Sequence, residues 1–425
     1  MQECPRQEIP ELNELFTVLP PGEAYRALAE RLEPVSDAER IETLRALDRV
    51  NAAPIVAAEM LPAFARSAMD GYAVRAAETY GASDASPAYL RLGGEVLMGA
   101  VARERLAAGG AIRVHTGAML PPDADAVVIV EETNARGEEL EVLRAVAPGE
   151  NVLGLGEDVR SGEQVWDTGA IFRAQDLGAL HALGITSVEV RRKPRVAILS
   201  TGDEVVPPKE TPPLGSVRDV NAVTIATTVE RAGGTGVYYG IHGDDEERLV
   251  RAGRAALDET DMLVLSAGSS VSTRDMTARA IARLGSPGVL VHGIALRPGK
   301  PTILALCDGK PVIGLPGNPV SAFVVAWRIV RPLVRVLLGV PLSPDGTGGE
   351  RTIEARLTAS VPSRPGREDY VPAKLDRLAD GTFEATPLFG KSNLIFTLVR
   401  ADGLIEIPLD LGGAAVGARV RVILP

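Results

Sequence analysis

Three short segments set glycine beside hydroxyls and carboxylates: Ser200-Thr201-Gly202-Asp203-Glu204, Ser266-Ala267-Gly268-Ser269-Ser270 and Gly314-Leu315-Pro316-Gly317-Asn318-Pro319. Loops of this type expose amides and hydroxyls that can grip an anion. In the third, Asn318 suits an N-cap and Pro319 a first helical position. The spacing predicts free amides near Val320 and Ser321 which, with the helix dipole, form an anion site; the same residues also describe a helix that is merely well capped. A basic turn, Arg297-Pro298-Gly299-Lys300-Pro301, has its backbone fixed by two prolines. Arg297 can hold an oxyanion through two N–H groups and Lys300 can act as a point charge, although a solvated turn has the same composition. Carboxylates recur beside turn residues: Asp70, Asp158, Asp203, Asp219 and Asp275. Acids and anion-gripping groups in one site are reconciled by Mg²⁺, which bridges carboxylates and phosphate oxygens while keeping several waters. Taken singly, each of these acids also fits a cap or a turn.

The elements that must position these loops follow from periodicity. Apolar runs at 196–199, 237–241, 262–265 and 289–291 alternate with helical patterns at 221–232, 246–259 and 275–284. This alternation predicts a parallel sheet covered by helices on both faces, and ligands of such sheets bind beyond the carboxyl ends of the strands. A strand pair at 302–306 and 312–315 leads into a helix over 319–338. Before this region, 57–162 reads as a small β-rich domain of short apolar runs and turns. The N-terminal part reads as helical, and 169–190 as a short helix-plus-strand unit. In the N-terminal part Tyr25, Leu28, Ala29 and Leu32, then Ile41, Leu44, Ala46 and Leu47, repeat at helical spacing, with Ser36 and Glu39 as a capping box. The α/β domain is assigned to 193–342. After a linker rich in Pro, Gly and Ser, alternation at 353–359 and 420–424 makes 343–425 a C-terminal β domain.

At 425 residues the chain is too long for one core, so two to four domains are expected. A net charge of −11 argues against a nucleic-acid surface, which needs clustered cations. No apolar run is long enough to span a bilayer and the N-terminus carries no signal pattern, so a cytoplasmic protein with no membrane partner is expected. Two cysteines, Cys4 and Cys307, cannot build a disulfide framework, and Cys307 reads as a small core residue. The four histidines have no zinc-ligand spacing.

Seven segments fall in an order that is informative: Ser-Ala-Met-Asp-Gly-Tyr-Ala (67–73), His-Thr-Gly-Ala (115–118), Gly-Glu-Asp (156–158), Ser-Thr-Gly-Asp-Glu (200–204), Asp-Val-Asn (219–221), Pro-Gly-Lys-Pro (298–301) and Leu-Pro-Gly-Asn-Pro-Val-Ser (315–321). In type and order they resemble the motifs of the MoeA/gephyrin E-domain family of molybdopterin molybdenumtransferases, from about residue 20 to the C-terminus. The resemblance implies a four-domain, L-shaped subunit with a central MogA-like three-layer α/β domain of parallel-rich sheet, a β-rich second domain and a C-terminal β-barrel-like domain, with residues 1–37 as N-terminal helices packed on the α/β domain and 38–56 with 163–192 as a linker domain. It also implies a homodimer whose site is shared between subunits, and a reaction in which molybdate enters adenylylated molybdopterin and AMP leaves, assisted by Mg²⁺.

Carried onto this chain, the resemblance assigns ligand binding to Thr201, Gly202 and Glu204, to Asp219, to Gly268, Ser269 and Ser270, and to Pro316, Gly317, Asn318 and Pro319. Asp203, Asp219 and Asp275 become metal ligands, and Arg297 and Lys300 bind phosphate or molybdate oxygens. Arg367 and Ser392 match family positions in the C-terminal domain. Asp70, Thr116 and Asp158 arrive from the partner subunit, so Asp70, Asp158, Asp203, Asp275 and Lys300 form the catalytic set. The chain departs from the family at 151–155, which lacks arginines, at the Ala-Gly-Ser-Ser-Val-Ser loop (267–272) and at Arg297, where Lys is frequent. A molybdopterin adenylyltransferase acts one step earlier with the same domain type and is a possible upstream partner; the flanking domains argue against that activity here. A non-catalytic scaffold or a molybdate- or pterin-binding paralogue stays open because of the altered loops.

Overall fold

The computed structural model describes residues 18–267, 271–340 and 350–424. At its centre is a six-stranded sheet. In chain order its elements are β1 (Arg195–Thr201), α1 (Asn221–Arg231), β2 (Thr235–His242), α2 (Glu246–Glu259), β3 (Met262–Ala267), α3 (Val271–Ala282), β4 (Pro287–His292), β5 (Ile303–Cys307), β6 (Lys310–Pro316), α4 (Pro319–Val325) and α5 (Arg331–Leu337). The strand order is β2-β1-β3-β6-β5-β4. β2, β1, β3 and β6 run parallel, and β5 is antiparallel to both its neighbours.

The two-residue period of the strands builds three layers. Val196, Ile198, Met262 and Val264 join a core with Ile225 of α1 and with Val325, Ile329 and Leu333 of the last helical run. Their neighbours Ala197, Leu199, Leu263 and Leu265 face the opposite core, with Leu249 of α2 and Ile281 of α3. β3 is buried along its whole length, as a parallel strand covered on both sides must be. Cys307 lies in the second core. α4 and α5 are joined by a π-helical turn, Ala326–Val330, so the chain is helical from Pro319 to Leu337.

The Tyr25–Leu32 pattern gives one helix, Pro21–Ala29, which packs Ala24, Tyr25 and Leu28 into the first core. The Ile41–Leu47 pattern does not give a helix. Ala38–Glu42 is a strand antiparallel to Ser187–Arg191, and Thr43–Arg45 is a single 3₁₀ turn. Leu44 and Leu47 are exposed, so their spacing reported no buried face, and strand pairing set the backbone instead. The Ser36–Glu39 capping box falls with that helix.

The segment before this unit forms a second six-stranded sheet: Ala126–Ile129, Gly71–Val74, Gly110–Val114, Ala88–Val96, Glu139–Val142 and Thr133–Arg136, in that spatial order. At the C-terminal end, Glu368–Arg377, Phe383–Pro387, Arg351–Leu357, Arg419–Leu424 and Gly403–Ile407 pair in sequence, and Gly403–Ile407 pairs back to Glu368–Arg377 to close a five-stranded barrel. Leu296–Arg297 adds to this barrel in parallel with Glu368–Asp369, which ties it to the α/β domain. No helix among the described residues is long and apolar enough to cross a membrane.

Candidate active site

The named residues fall in three places. A cleft of about 1110 Å³ opens between the α/β domain and the barrel and gathers Arg297, Lys300, Pro316, Asn318, Arg367 and Ser392. Its basic turn is held rigidly: the Ile294 amide donates to Lys300 O (2.9 Å) and the Thr302 hydroxyl to Gly299 O (2.6 Å). Gly299 must be glycine there, because its φ is +129° and a Cβ would lie 2.5 Å from Val325 Cγ2 of α4.

Facing this turn, the barrel supplies Arg364-Pro365-Gly366-Arg367, the same type of tetrapeptide as Arg297-Pro298-Gly299-Lys300. Arg364 and Lys391 also line the cleft and were missed by sequence reasoning; the repeated Arg-Pro-Gly-basic pattern is the signal that could have found Arg364, and Lys391 lies outside it. The acid that lines the cleft, Asp369, is buried (1% exposed) between two arginines. Arg297 Nη1 donates to Asp369 Oδ2 at 3.4 Å and Arg367 Nη2 to the same oxygen at 3.2 Å, with Arg367 Nε 2.8 Å from Oδ1. The cleft therefore lines up Arg297, Lys300, Arg364, Arg367 and Lys391 against one carboxylate, a strongly positive local field on a chain of net charge −11.

The Pro316–Pro319 turn joins this cleft to the strand ends, but not as its sequence predicts. Asn318 holds the N-cap position of α4 without capping it; its Nδ2 donates to Ser392 Oγ (3.0 Å). The Val320 amide donates to Ser392 O (3.0 Å), so it is not free for an anion. The barrel has taken the bonds that the helix start offered. Gly317 turns the other way, and its carbonyl accepts from Asn221 Nδ2 (2.8 Å).

At the strand ends Asn221 is a residue that sequence reasoning passed over, although it closes the Asp-Val-Asn motif. Only 7% exposed, it donates to Ser266 Oγ (2.8 Å) at the end of β3 as well as to Gly317 O, and so braces three segments at once. Asp219 is also buried and well occupied: its Oδ2 accepts from Ser200 Oγ (2.6 Å) and Tyr238 OH (3.1 Å), and its Oδ1 from the Ala222 amide (3.1 Å). Burial and the Asp219 charge push the Tyr238 hydroxyl up to about 12, so it stays a donor. Asp203 is exposed and accepts from the Asp244 amide (3.1 Å); Gly202 is buried and Glu204 exposed. Asp275 is half-buried in the second turn of α3. Thr201 is 2% exposed, and its hydroxyl has no hydrogen-bond partner among the described residues. Gly268, Ser269 and Ser270 lie outside the described residues. Asp203, Asp219 and Asp275 do not converge as a protein cage, since no three acid, His or Cys groups among the described residues come together to hold a metal. The Asp219 oxygens are taken up by Ser200, Tyr238 and the Ala222 amide.

The third place is on the β-rich domain. Asp70 accepts the Thr116 amide (2.9 Å) and lies 3.7 Å from His115 Nδ1, whose other nitrogen is 2.7 Å from Glu95 Oε1. Gly71 is required after Asp70, because a Cβ would meet Val128 O at 2.1 Å. Val152 and Leu153 pair with Ser67 and Arg66, which brings the loop before Asp158 beside this turn; Asp158 itself is exposed, its amide donating to Leu61 O (2.9 Å). Asp70, Thr116 and Asp158 do not line the cleft.

The fold is that of a multidomain protein with a cation-lined cleft beside the polar strand ends of a three-layer domain. Three family models match this chain: the MoeA N-terminal region (domain I and II) over residues 19–184, a probable molybdopterin binding domain over 197–336 and the MoeA C-terminal region (domain IV) over 354–424. A putative molybdopterin biosynthesis protein of Methanocaldococcus jannaschii is 32% identical, covering 94% of this chain and 95% of its own. Molybdopterin molybdenumtransferase 2 of Mycobacterium tuberculosis is 34% identical over 87% of this chain and 90% of its own. The crystal structure of a MoeA molybdopterin biosynthesis protein from Pyrococcus horikoshii superposes with a TM-score of 0.82 at 31% identity, covering 96% of this chain and 100% of that one. The chain belongs to the MoeA family.

Proposed function

We propose that this chain is a molybdenum insertase, which transfers molybdate into adenylylated molybdopterin with release of AMP, and that it works as a cytoplasmic, Mg²⁺-assisted homodimer. Relatives named molybdopterin molybdenumtransferase support the transferase reading. The observation that carries it is the cleft, where five cations face one buried carboxylate in a space that accepts a large anion. Asp369 fixes the directions of Arg297 and Arg367, while Lys300, Arg364 and Lys391 are exposed and turn to the oxyanions of molybdate and phosphate. The strand-end segment Thr201–Glu204, the passage from the end of β3 into α3 as far as Asp275, and the Pro316–Pro319 turn hold the pterin–nucleotide. Phosphoanhydride cleavage needs positioning and charge neutralisation more than a protein nucleophile. The soft sulfur ligands that molybdenum requires belong to the substrate.

Magnesium, when bound, would spread positive charge over the phosphate oxygens. Asp203, Asp275 and the Thr201 hydroxyl, which has no partner among the described residues, offer the hard oxygen donors it prefers, with substrate oxygens and water filling the remaining positions. Asp70, Thr116 and Asp158 of a second copy complete the site. The test is a turnover assay with adenylylated molybdopterin, molybdate and Mg²⁺, following AMP and the finished cofactor. Molybdate-dependent AMP release is expected; tight binding without AMP would instead make the chain a scaffold or a binding paralogue.

A further inference from the structure

We propose that Arg328 is a positioning residue for the anion cleft, a role that rests on the reading of that cleft given above. Arg328 is the central residue of the π-helical turn Ala326–Val330 and is 3% exposed, deep in a helical run whose other polar side chains are Ser321, Arg331 and Arg335. A π turn is a rare and costly insertion in a helix and is concentrated at functional places. Here it presents a guanidinium to the barrel. Arg328 Nε donates to Tyr370 OH (3.1 Å) and lies 3.5 Å from Glu368 Oε2, while Tyr370 OH donates to Glu368 Oε2 (2.9 Å). Glu406, the cross-strand neighbour of Tyr370, closes the cluster at 3.4 Å from the same hydroxyl.

The connection to the cleft is the alternation of one strand. Glu368 and Tyr370 share a face, so Asp369 between them points to the other. Arg328 grips the first face, and the second carries the carboxylate that orients Arg297 and Arg367. The same residues sit at the seam between domains: Leu296 and Arg297 pair with Glu368 and Asp369, and the Glu368 amide donates to Ala295 O (2.9 Å). Stability alone does not explain a buried arginine at this place, since hydrocarbon of similar volume often serves as well as a buried ion pair. What hydrocarbon does not supply is direction. Arg328 fixes the strand's rotation and so the spacing between the Arg297-Pro298-Gly299-Lys300 and Arg364-Pro365-Gly366-Arg367 turns.

The experiment measures kcat, the KM for molybdate, the KM for adenylylated molybdopterin and the thermal midpoint of the full-length dimer. Arg328→Met is expected to raise the molybdate KM about tenfold with the other KM and kcat held within about twofold, because a small displacement of oriented groups weakens the anion grip. Arg328→Lys should recover part of the loss. Tyr370→Phe, which removes only the shared hydroxyl, should raise the molybdate KM about threefold. A folded Arg328→Met protein with unchanged molybdate KM, or one with reduced kcat and both KM values intact, would overturn the positioning role. If Arg328→Met does not fold, an unchanged molybdate KM in Tyr370→Phe overturns it. Lys300→Ala run in parallel separates the two readings. No effect there sinks the cleft as the molybdate site, whereas an effect at Lys300 with none at Arg328 or Tyr370 sinks only the positioning role.

Discussion

The cleft and the strand ends meet at the Pro316–Pro319 turn, yet they are built from different chemistry. The cleft is stiffened by charge: Arg297 and Arg367 close on buried Asp369, and behind them Arg328, Arg331, Arg421, Glu350, Glu368 and Glu406 form a mostly buried ionic network. The strand ends are stiffened by hydrogen bonds in place of ion pairs, with Asn221 spanning to Ser266 and Gly317 and the Asp219 carboxylate held by two hydroxyls and an amide. A site for a small, doubly charged oxyanion needs fixed cations, whereas a site for a flat heterocycle and a nucleotide needs shaped, satisfied backbone. The two regions should therefore fail in different ways.

The largest effect is expected at Lys300. Lys300→Ala removes an exposed cation without touching the core, so the thermal midpoint should hold while molybdate-dependent turnover falls by roughly a hundredfold, the scale of removing one transition-state charge contact. Asp275→Ala should lower turnover strongly too, but with a changed Mg²⁺ dependence. If both variants gave the same profile in molybdate and in Mg²⁺, the division of labour would be wrong.

Much of this arrangement was legible in the sequence because it depends on local signals. The strands at 196–199 and 262–265 are unbroken apolar runs (Val-Ala-Ile-Leu and Met-Leu-Val-Leu) whose alternate residues face two cores, and turn chemistry marked the loops that follow them. What was not legible depends on partners far along the chain. The helix start at Asn318-Pro319 offers a free amide at Val320, and only the fold reveals that Ser392, more than seventy residues later, takes it. Ile41–Leu47 has helical spacing, but its fate is set by pairing with Ser187–Arg191. The barrel's Lys391 carries no meaning until the basic turn at 297–301 is seen facing it.

Asn221 gives the next largest effect, at the hydrogen-bonded end of the comparison. Asn221→Ala leaves Ser266 and Gly317 without their shared donor inside the protein, a loss of about 1–3 kcal/mol in stability. The loops it braces should then bind adenylylated molybdopterin several-fold more weakly, with the molybdate KM little changed. A rise confined to the molybdate KM would mean that the strand ends and the cleft are not separate in function.

The smallest effect on turnover, and the sharpest on the comparison, is expected from pH. Burial pushes the Glu350 carboxyl up to about 7 against the opposing pull of Arg328 and Arg331, with Glu406 raising it further and Arg421 lowering it. Between its ordinary value of 4.5 and about 7, the folded protein holds a proton that the unfolded chain releases. Stability from this group is therefore full below pH 4.5 and declines as pH rises through that window. Glu350→Gln carries no titrating proton and should flatten the decline, leaving the residual slope of Glu406, which burial also raises. Asn221→Ala should lower stability by the same amount at every pH, because the bonds it loses are between neutral groups. Thermal midpoints of the three proteins from pH 5 to 8 decide the matter: parallel curves for all three would mean that the ionic network behind the cleft does not titrate there, and that the contrast between a charge-stiffened and a hydrogen-bonded half of the site is not real.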